Sequence, residues 1–195
     1  MSLITRFCGP KDSSELLRQP FRFDGFMYAT NGHVAVRMPD DATVDAAQES
    51  ADNTVIAVFA KTADIPVTWH AIPAFTSDRP CRACGGNKRV YECPDCDGEG
   101  EFQHGAYDYQ CQRCDGNGVV GTPGVGDTCT VCCGTGINQY DGLDVAHAHY
   151  AKRYLRLIEE CFPGAEIGVP ADEHATAMFR RGDVAGLIIP MRRGS

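Results

Sequence analysis

The sequence predicts an α+β fold in which an antiparallel sheet with a C-terminal helix is interrupted by a cysteine-rich β-hairpin module. Three observations carry this expectation. The early part of the chain reads FRF-DG-FMYAT-NG-HVAVRM, β-prone runs parted by turn dipeptides. An amphipathic stretch begins after residue 144, and eight cysteines in four C-x-x-C pairs fill the middle. The expected boundaries are 1–79 with 137–195 for a discontinuous body, and 80–136 for an insertion.

In chain order, Ser13 or Ser14 caps a short helix containing Glu15, Leu16 and Leu17, which Pro20 ends. Asp24-Gly25 and Asn31-Gly32 then separate three strands of a meander. Val34 and Val36 face one side of it, with His33, Ala35 and Arg37 on the other. Val55 to Phe59 suggest another strand. Asn31, Gly32 and His33 read as turn residues rather than as a catalytic group. Between Ala60 and Pro80 the pattern is irregular, cut by Pro66, Pro73 and Pro80, with Trp69 as an apolar anchor.

After the cysteines, Asp144 is expected to cap a helix over 145–162. Ala148, Ala151, Leu155, Ile158 and Phe162 recur on one face, and Pro163-Gly164 stops it. His147 and His149 would then point apart. Cys161 reads as a packing residue, and Cys8 has no local ligand partner. ATAMFR and VAGLIIPMR form a closing hairpin around Arg181-Gly182-Asp183, with Pro190 at the strand end.

Composition limits the function classes. At 195 residues the chain accommodates one modest domain plus a compact insertion. Its net charge of −8 opposes non-specific attraction to phosphate backbones, although Arg180, Arg181, Arg192 and Arg193 lie late in the chain. The opening residues do not read as a secretion signal, no apolar run spans a bilayer, and Gly194-Ser195 read as a cloning remnant. Eleven cysteines, eight of them in regular C-x-x-C spacing, without such a signal favour reduced, metal-bound thiols and a cytoplasmic setting.

The pairs are Cys81/Cys84, Cys93/Cys96, Cys111/Cys114 and Cys129/Cys132. A C-x-x-C turn directs two thiolates at one ion and a structural zinc takes four, so eight thiols suffice for two zinc ions. Gly86, Gly98, Gly116 and Gly134 each follow a second cysteine by two residues, where glycine lets the backbone bring amides near sulfur. Large apolar residues are few, so ligation must replace a core, at about 10 kcal/mol per site. Residues 81–136 carry four basic against eight acidic side chains, a formal −4. CTVCC offers Cys132 or Cys133 to the metal, and equal spacing favours Cys132.

CPDCDGEG, CQRCDGNG and CTVCCGTG, with CRACGGNK as a first copy bearing Lys88 in place of the last glycine, resemble the cysteine-rich zinc domain of the DnaJ/Hsp40 chaperone family. That resemblance implies two zinc ions on a twisted pair of β-hairpins. It places Cys81, Cys84, Cys129 and Cys132 in site one, and Cys93, Cys96, Cys111 and Cys114 in site two. No J-domain precedes the repeats, so the resemblance implies protein interaction rather than a full co-chaperone. YATNGHVAVRMP and GLIIPMRR resemble the Y-A-T-D-G-H segment and terminal M-P-M-R of bacterial DNA sliding clamps, which implies a clamp-like subdomain in the flanks.

The expected function is a non-enzymatic zinc-binding adaptor, chaperone-like or regulatory, that recognises another protein. Phe102, Tyr107, Tyr109 and Gln110 either contact that partner or pack across the hairpins. A nucleic-acid-associated regulator and a thiol-disulfide oxidoreductase are the alternatives. Homo-oligomerisation through the outer surface is a further expectation, and membrane association is not expected.

Overall fold

The computed structural model describes residues 2–10, 13–48 and 53–192; Arg193, Gly194 and Ser195 lie outside the described residues. A 3-10 turn at Ile4–Phe7 and α1 (Glu15–Arg18) precede β1 (Phe21–Phe23), β2 (Phe26–Thr30), β3 (Val34–Pro39) and β4 (Ala47–Gln48). Next come α2 (Thr54–Ala63) and β5 (Val67–Ala71). The cysteine-rich part holds β6 (Lys88–Glu92), β7 (Glu101–His104), β8 (Tyr107–Gln110), β9 (Val119–Pro123) and β10 (Asp127–Thr128). It is followed by β11 (Gly142–Val145), β12 (Ala148–Ala151), α3 (Lys152–Cys161), β13 (Glu166–Pro170), β14 (Ala177–Arg181) and β15 (Val184–Ile188). The class is α+β, and the chain divides into two units: Met1–Phe75 with Gly142–Ser195, and Thr76–Asp141.

In the first unit an eight-stranded sheet runs β4-β1-β2-β3-β15-β14-β13-β5. All its pairings are antiparallel except β1 with β4. The pairing of β15 with β3 joins the early meander to the closing hairpin. Strand alternation sorts the side chains. Met27, Ala29, Val34, Val36, Phe179 and Ile188 enter a core that also takes Leu155 and Ile158 of α3. Tyr28, Ala35 and Leu187 belong to a second cluster with Phe21 and with Phe59 of α2. Helices thus lie on both faces of one sheet. Gly186 is required by a close approach: a Cβ there would stand 2.0 Å from the Phe179 ring.

Three expectations are corrected. Val55 to Phe59 form part of α2, not a strand. Asn53 caps that helix through Oδ1, which accepts from the Val55 amide at 2.9 Å. The 3.6-residue period, with Phe59 and Thr62 buried, overrides the β preference of the valines.

The helix expected over 145–162 starts only at Lys152, because residues 142–151 make the β11–β12 hairpin. Ala148 and Ala151 satisfy a helical spacing, but they are small and buried in the strand as well. Tyr150, fully buried in register with Leu143, and Ala146 at φ 54° belong to the hairpin. Asp144 therefore caps no helix; its Oδ1 lies 2.6 Å from Nδ1 of His149, its cross-strand partner.

The piece between Ala60 and Pro80 is not irregular throughout. Val67–Ala71 form β5, and Trp69 lies opposite Gly168 beneath the Arg180 guanidinium, 4.0 Å from the ring centroid. The missed β13 beside it, EIGVP, lacks a clear alternating pattern because four of its five residues are buried. No helix among the described residues is long and apolar enough to cross a membrane.

Candidate metal centres

The second unit is built by one backbone course repeated four times. After each C-x-x-C the chain turns left-handed at Gly85, Asp97, Asp115 and Cys133, with φ between 47° and 56°, and again at the next glycine. In repeats two to four the amide of that glycine donates to the carbonyl of the first cysteine: Gly98 to Cys93, Gly116 to Cys111 and Gly134 to Cys129. Contacts to sulfur come instead from the later glycines. Gly100 N–H meets Cys96 Sγ at 3.2 Å and Gly136 N–H meets Cys132 Sγ at 3.3 Å.

Reciprocal backbone bonds decide which repeats meet. Cys81 N–H donates to Gly136 O and Cys129 N–H to Lys88 O, tying the first repeat to the fourth. Cys93 N–H donates to Gly118 O and Cys111 N–H to Gly100 O, tying the second to the third. The approach at the inner pair excludes a side chain. A Cβ on Gly100 would lie 2.4 Å from Gly116 O, and one on Gly118 would lie 2.1 Å from Gly98 O.

Two groups of four buried thiols result: Cys81, Cys84, Cys129 and Cys132, and Cys93, Cys96, Cys111 and Cys114, the ligand atoms of each all within 4.8 Å of one another. The Sγ separations are 4.0 Å for Cys81–Cys129, 3.8 Å for Cys84–Cys132, 3.9 Å for Cys93–Cys111 and 3.8 Å for Cys96–Cys114. A tetrahedral ion about 2.3 Å from each sulfur sets an S···S edge of about 3.8 Å. A disulfide needs about 2.05 Å. The geometry therefore fits two metal ions, one per group.

Each set is closed by four protein ligands, as in structural sites rather than catalytic ones. Cys133 stays outside, exposed, with its thiol directed toward Thr130 O at 3.7 Å.

Burial and the backbone amides act on the thiols in opposite senses. Burial pushes Cys96 and Cys129 up to about 12, reinforced by contacts with neighbouring thiols. Burial acts in the same sense on Cys132, but the Gly136 amide and neighbouring thiols outweigh it and hold that group near 7. A metal ion stabilises all the thiolates at once and displaces their protons.

Around these centres the unit has little else. Ala83 and Val90 complete the first cluster with Val119 at its margin, and Val120 packs on the second. All eight residues of the β7–β8 hairpin are exposed, and Gln110 Nε2 at its base donates to Asp115 O at 2.7 Å. Its register pairs Phe102 with Tyr109 and His104 with Tyr107, so these four share one face. Glu101, Gln103, Asp108 and Gln110 take the other. Phe102, Tyr107 and Tyr109 are 42%, 70% and 55% exposed, so any packing they make across the ribbon leaves much of each ring in solvent.

In the first unit, residues singled out from the sequence have structural places. Asn31 Oδ1 accepts from the His33 and Val34 amides, which makes it a turn former, and His33 stacks on Tyr154. Burial pushes the Cys8 thiol up to about 11, which suits a packing residue. Cys161 is buried. Arg180 is engaged by Glu166 at 2.9 Å. Thr30, Gly32 and His33 meet Leu187 and Ile189 at an apolar pocket of about 250 Å³ with Leu17 and Val58 at its wall.

No family model matches the chain, and no curated protein matches it. Among solved structures it is similar to a crystal structure of the DNA polymerase sliding clamp from Pseudomonas aeruginosa with ligand. That similarity has 13% identity and a TM-score of 0.39, and covers 98% of this chain and 62% of that one. The chain thus spans less than two thirds of that solved chain.

Proposed function

We propose that the protein is a non-enzymatic, zinc-stapled protein-interaction module. Zinc is the ion of choice for two closed all-thiolate tetrahedra, and the DnaJ-like spacing of the repeats supports the same assignment. The observation that carries the interaction reading is the β7–β8 ribbon. It presents Phe102, Tyr107 and Tyr109 to solvent from a unit whose interior consists chiefly of cysteine. Cross-strand pairing accounts for part of each ring, and the apolar surface left in solvent, grouped on one face, supports a contact surface. Against the oxidoreductase alternative stand the buried, closed thiol sets; against nucleic-acid binding stands the acidic charge of this unit.

The test compares the full chain with F102S/Y107S/Y109S, each affinity-purified under native conditions. Metal analysis is expected to return two zinc ions per chain for both, while co-purifying proteins are lost from the variant. Identical sets of bound proteins would overturn the interaction reading, and absence of zinc from both would overturn the metal assignment.

A further inference from the structure

Charge is distributed unevenly within the cysteine unit. Residues 92–118, which hold the second thiol group and the ribbon, carry Glu92, Asp95, Asp97, Glu99, Glu101, Asp108 and Asp115, with Arg113 as the only lysine or arginine. All seven acidic residues are exposed, and Arg113 is tied to Asp95 at 2.7 Å. The remainder of the unit has Arg79, Arg82, Lys88 and Arg89 against Asp78, Asp127 and Asp141. Acidity therefore accumulates at the ribbon end, where a divalent ion in four thiolates adds a further −2.

The ribbon combines this field with ring faces. A cation is attracted to the face of an aromatic ring, and the planar guanidinium of arginine stacks there better than a lysine ammonium. The first unit does this with its own side chains: Arg180 lies over Trp69 at 4.0 Å and Arg37 over Phe26 at 4.7 Å. Among the described residues, no ring stack or cation–π contact engages Phe102, His104, Tyr107 or Tyr109.

We propose that the aromatic face of the β7–β8 ribbon docks an arginine-rich extended segment of a partner protein. Guanidinium groups lie on Phe102, Tyr107 and Tyr109, and the surrounding carboxylates supply the attraction. This rests on the interaction reading above and names the partner's chemistry. A purely apolar segment would gain nothing from seven carboxylates, and a nucleic acid would be repelled by them.

Fluorescence anisotropy on the full-length, zinc-loaded protein tests it with a labelled arginine-glycine-serine repeat peptide, its lysine and glutamine counterparts, and a labelled single-stranded oligonucleotide. The arginine peptide is expected to bind, the lysine form several-fold weaker and the glutamine form at least about tenfold weaker. Affinity should fall as salt rises from about 0.05 M to about 0.3 M, because the Debye length shortens. F102A/Y107A/Y109A should weaken binding at least about tenfold with both zinc ions retained. Should that variant lose zinc, E101Q/D108N on the polar face carries the test, with a loss of about threefold expected.

Equal binding of the arginine and glutamine peptides, unchanged affinity in these variants, or tighter binding of the oligonucleotide would overturn the proposal. If the arginine peptide fails to bind while the serine variant still loses its co-purifying proteins, the arginine proposal falls and the interaction reading stands. If neither binding nor co-purification changes, both fall.

Discussion

The two units hold themselves together by different means. In the first, a sheet with buried Met27, Val36, Ile167 and Phe179 packs on Leu155 and Ile158, and burial of apolar surface stabilises the arrangement. In the second, the buried clusters are cysteines joined by Ala83 and Val90. Few apolar atoms leave water there, and the two thiol groups are arranged so that thiolate–metal bonds could take the place of a core. The contrast teaches what a unit organised around thiols rather than a hydrophobic core leaves free: large rings stand on the outside, as on β7–β8.

The sharpest way to break this comparison is to remove the metal. A strong chelator should abolish amide-exchange protection across residues 81–136 and leave that of β2, β3 and β15 in place. Loss of protection in both units together would mean that one core serves both. At single-residue level, Cys132→Ala should lose one of two zinc ions by native mass measurement, whereas Cys133→Ala keeps both.

The converse variant is Phe179→Ala. Phe179 is fully buried against Phe7 and Phe162, with ring centroids at 6.3 and 6.2 Å. Truncation should cost about 3–5 kcal/mol in denaturant unfolding of the first unit and leave zinc content unchanged. A cost below about 1 kcal/mol would show that the sheet does not depend on this core.

A smaller effect is expected at Lys88, which holds φ 68° where the other repeats place Gly100, Gly118 and Gly136. Left-handed backbone costs a side-chain-bearing residue about 1 kcal/mol. Lys88→Gly should therefore tighten zinc binding at the first site by up to about fivefold, measured by competition with a metal-sensitive dye. Weaker binding would indicate that the lysine charge offsets the thiolates by more than the backbone strain.

Much of this was readable from residues alone, for reasons particular to each element. Turn dipeptides punctuate β1 to β3, and Asn31 fulfils its turn role with two side-chain hydrogen bonds. The C-x-x-C repeats carry their metal chemistry in a local spacing, so the eight thiols could be named from a one-dimensional string. Their division into sets depends on long-range backbone bonds such as Cys81 to Gly136, which no local spacing encodes.

Where local signals were ambiguous, the reading failed. The valines of α2 favour a strand until Asn53 caps a helix, and Ala148 and Ala151 fit either period. The one-sidedness of the ribbon was present in the alternation of Phe102-Gln103-His104 and Tyr107-Asp108-Tyr109. It becomes a surface only once the register pairs the rings.

The repeats are nested like brackets, the second and third enclosed by the first and fourth. The inner thiols Cys93 and Cys111 are 18 residues apart, and the outer Cys81 and Cys129 are 48 apart. Closing the inner loop first costs about 0.9 kcal/mol less chain entropy. A chain emerging from the ribosome can thus complete its inner centre while Cys129 and Cys132 are still unmade. The aromatic tip would then be in place before the base that anchors it.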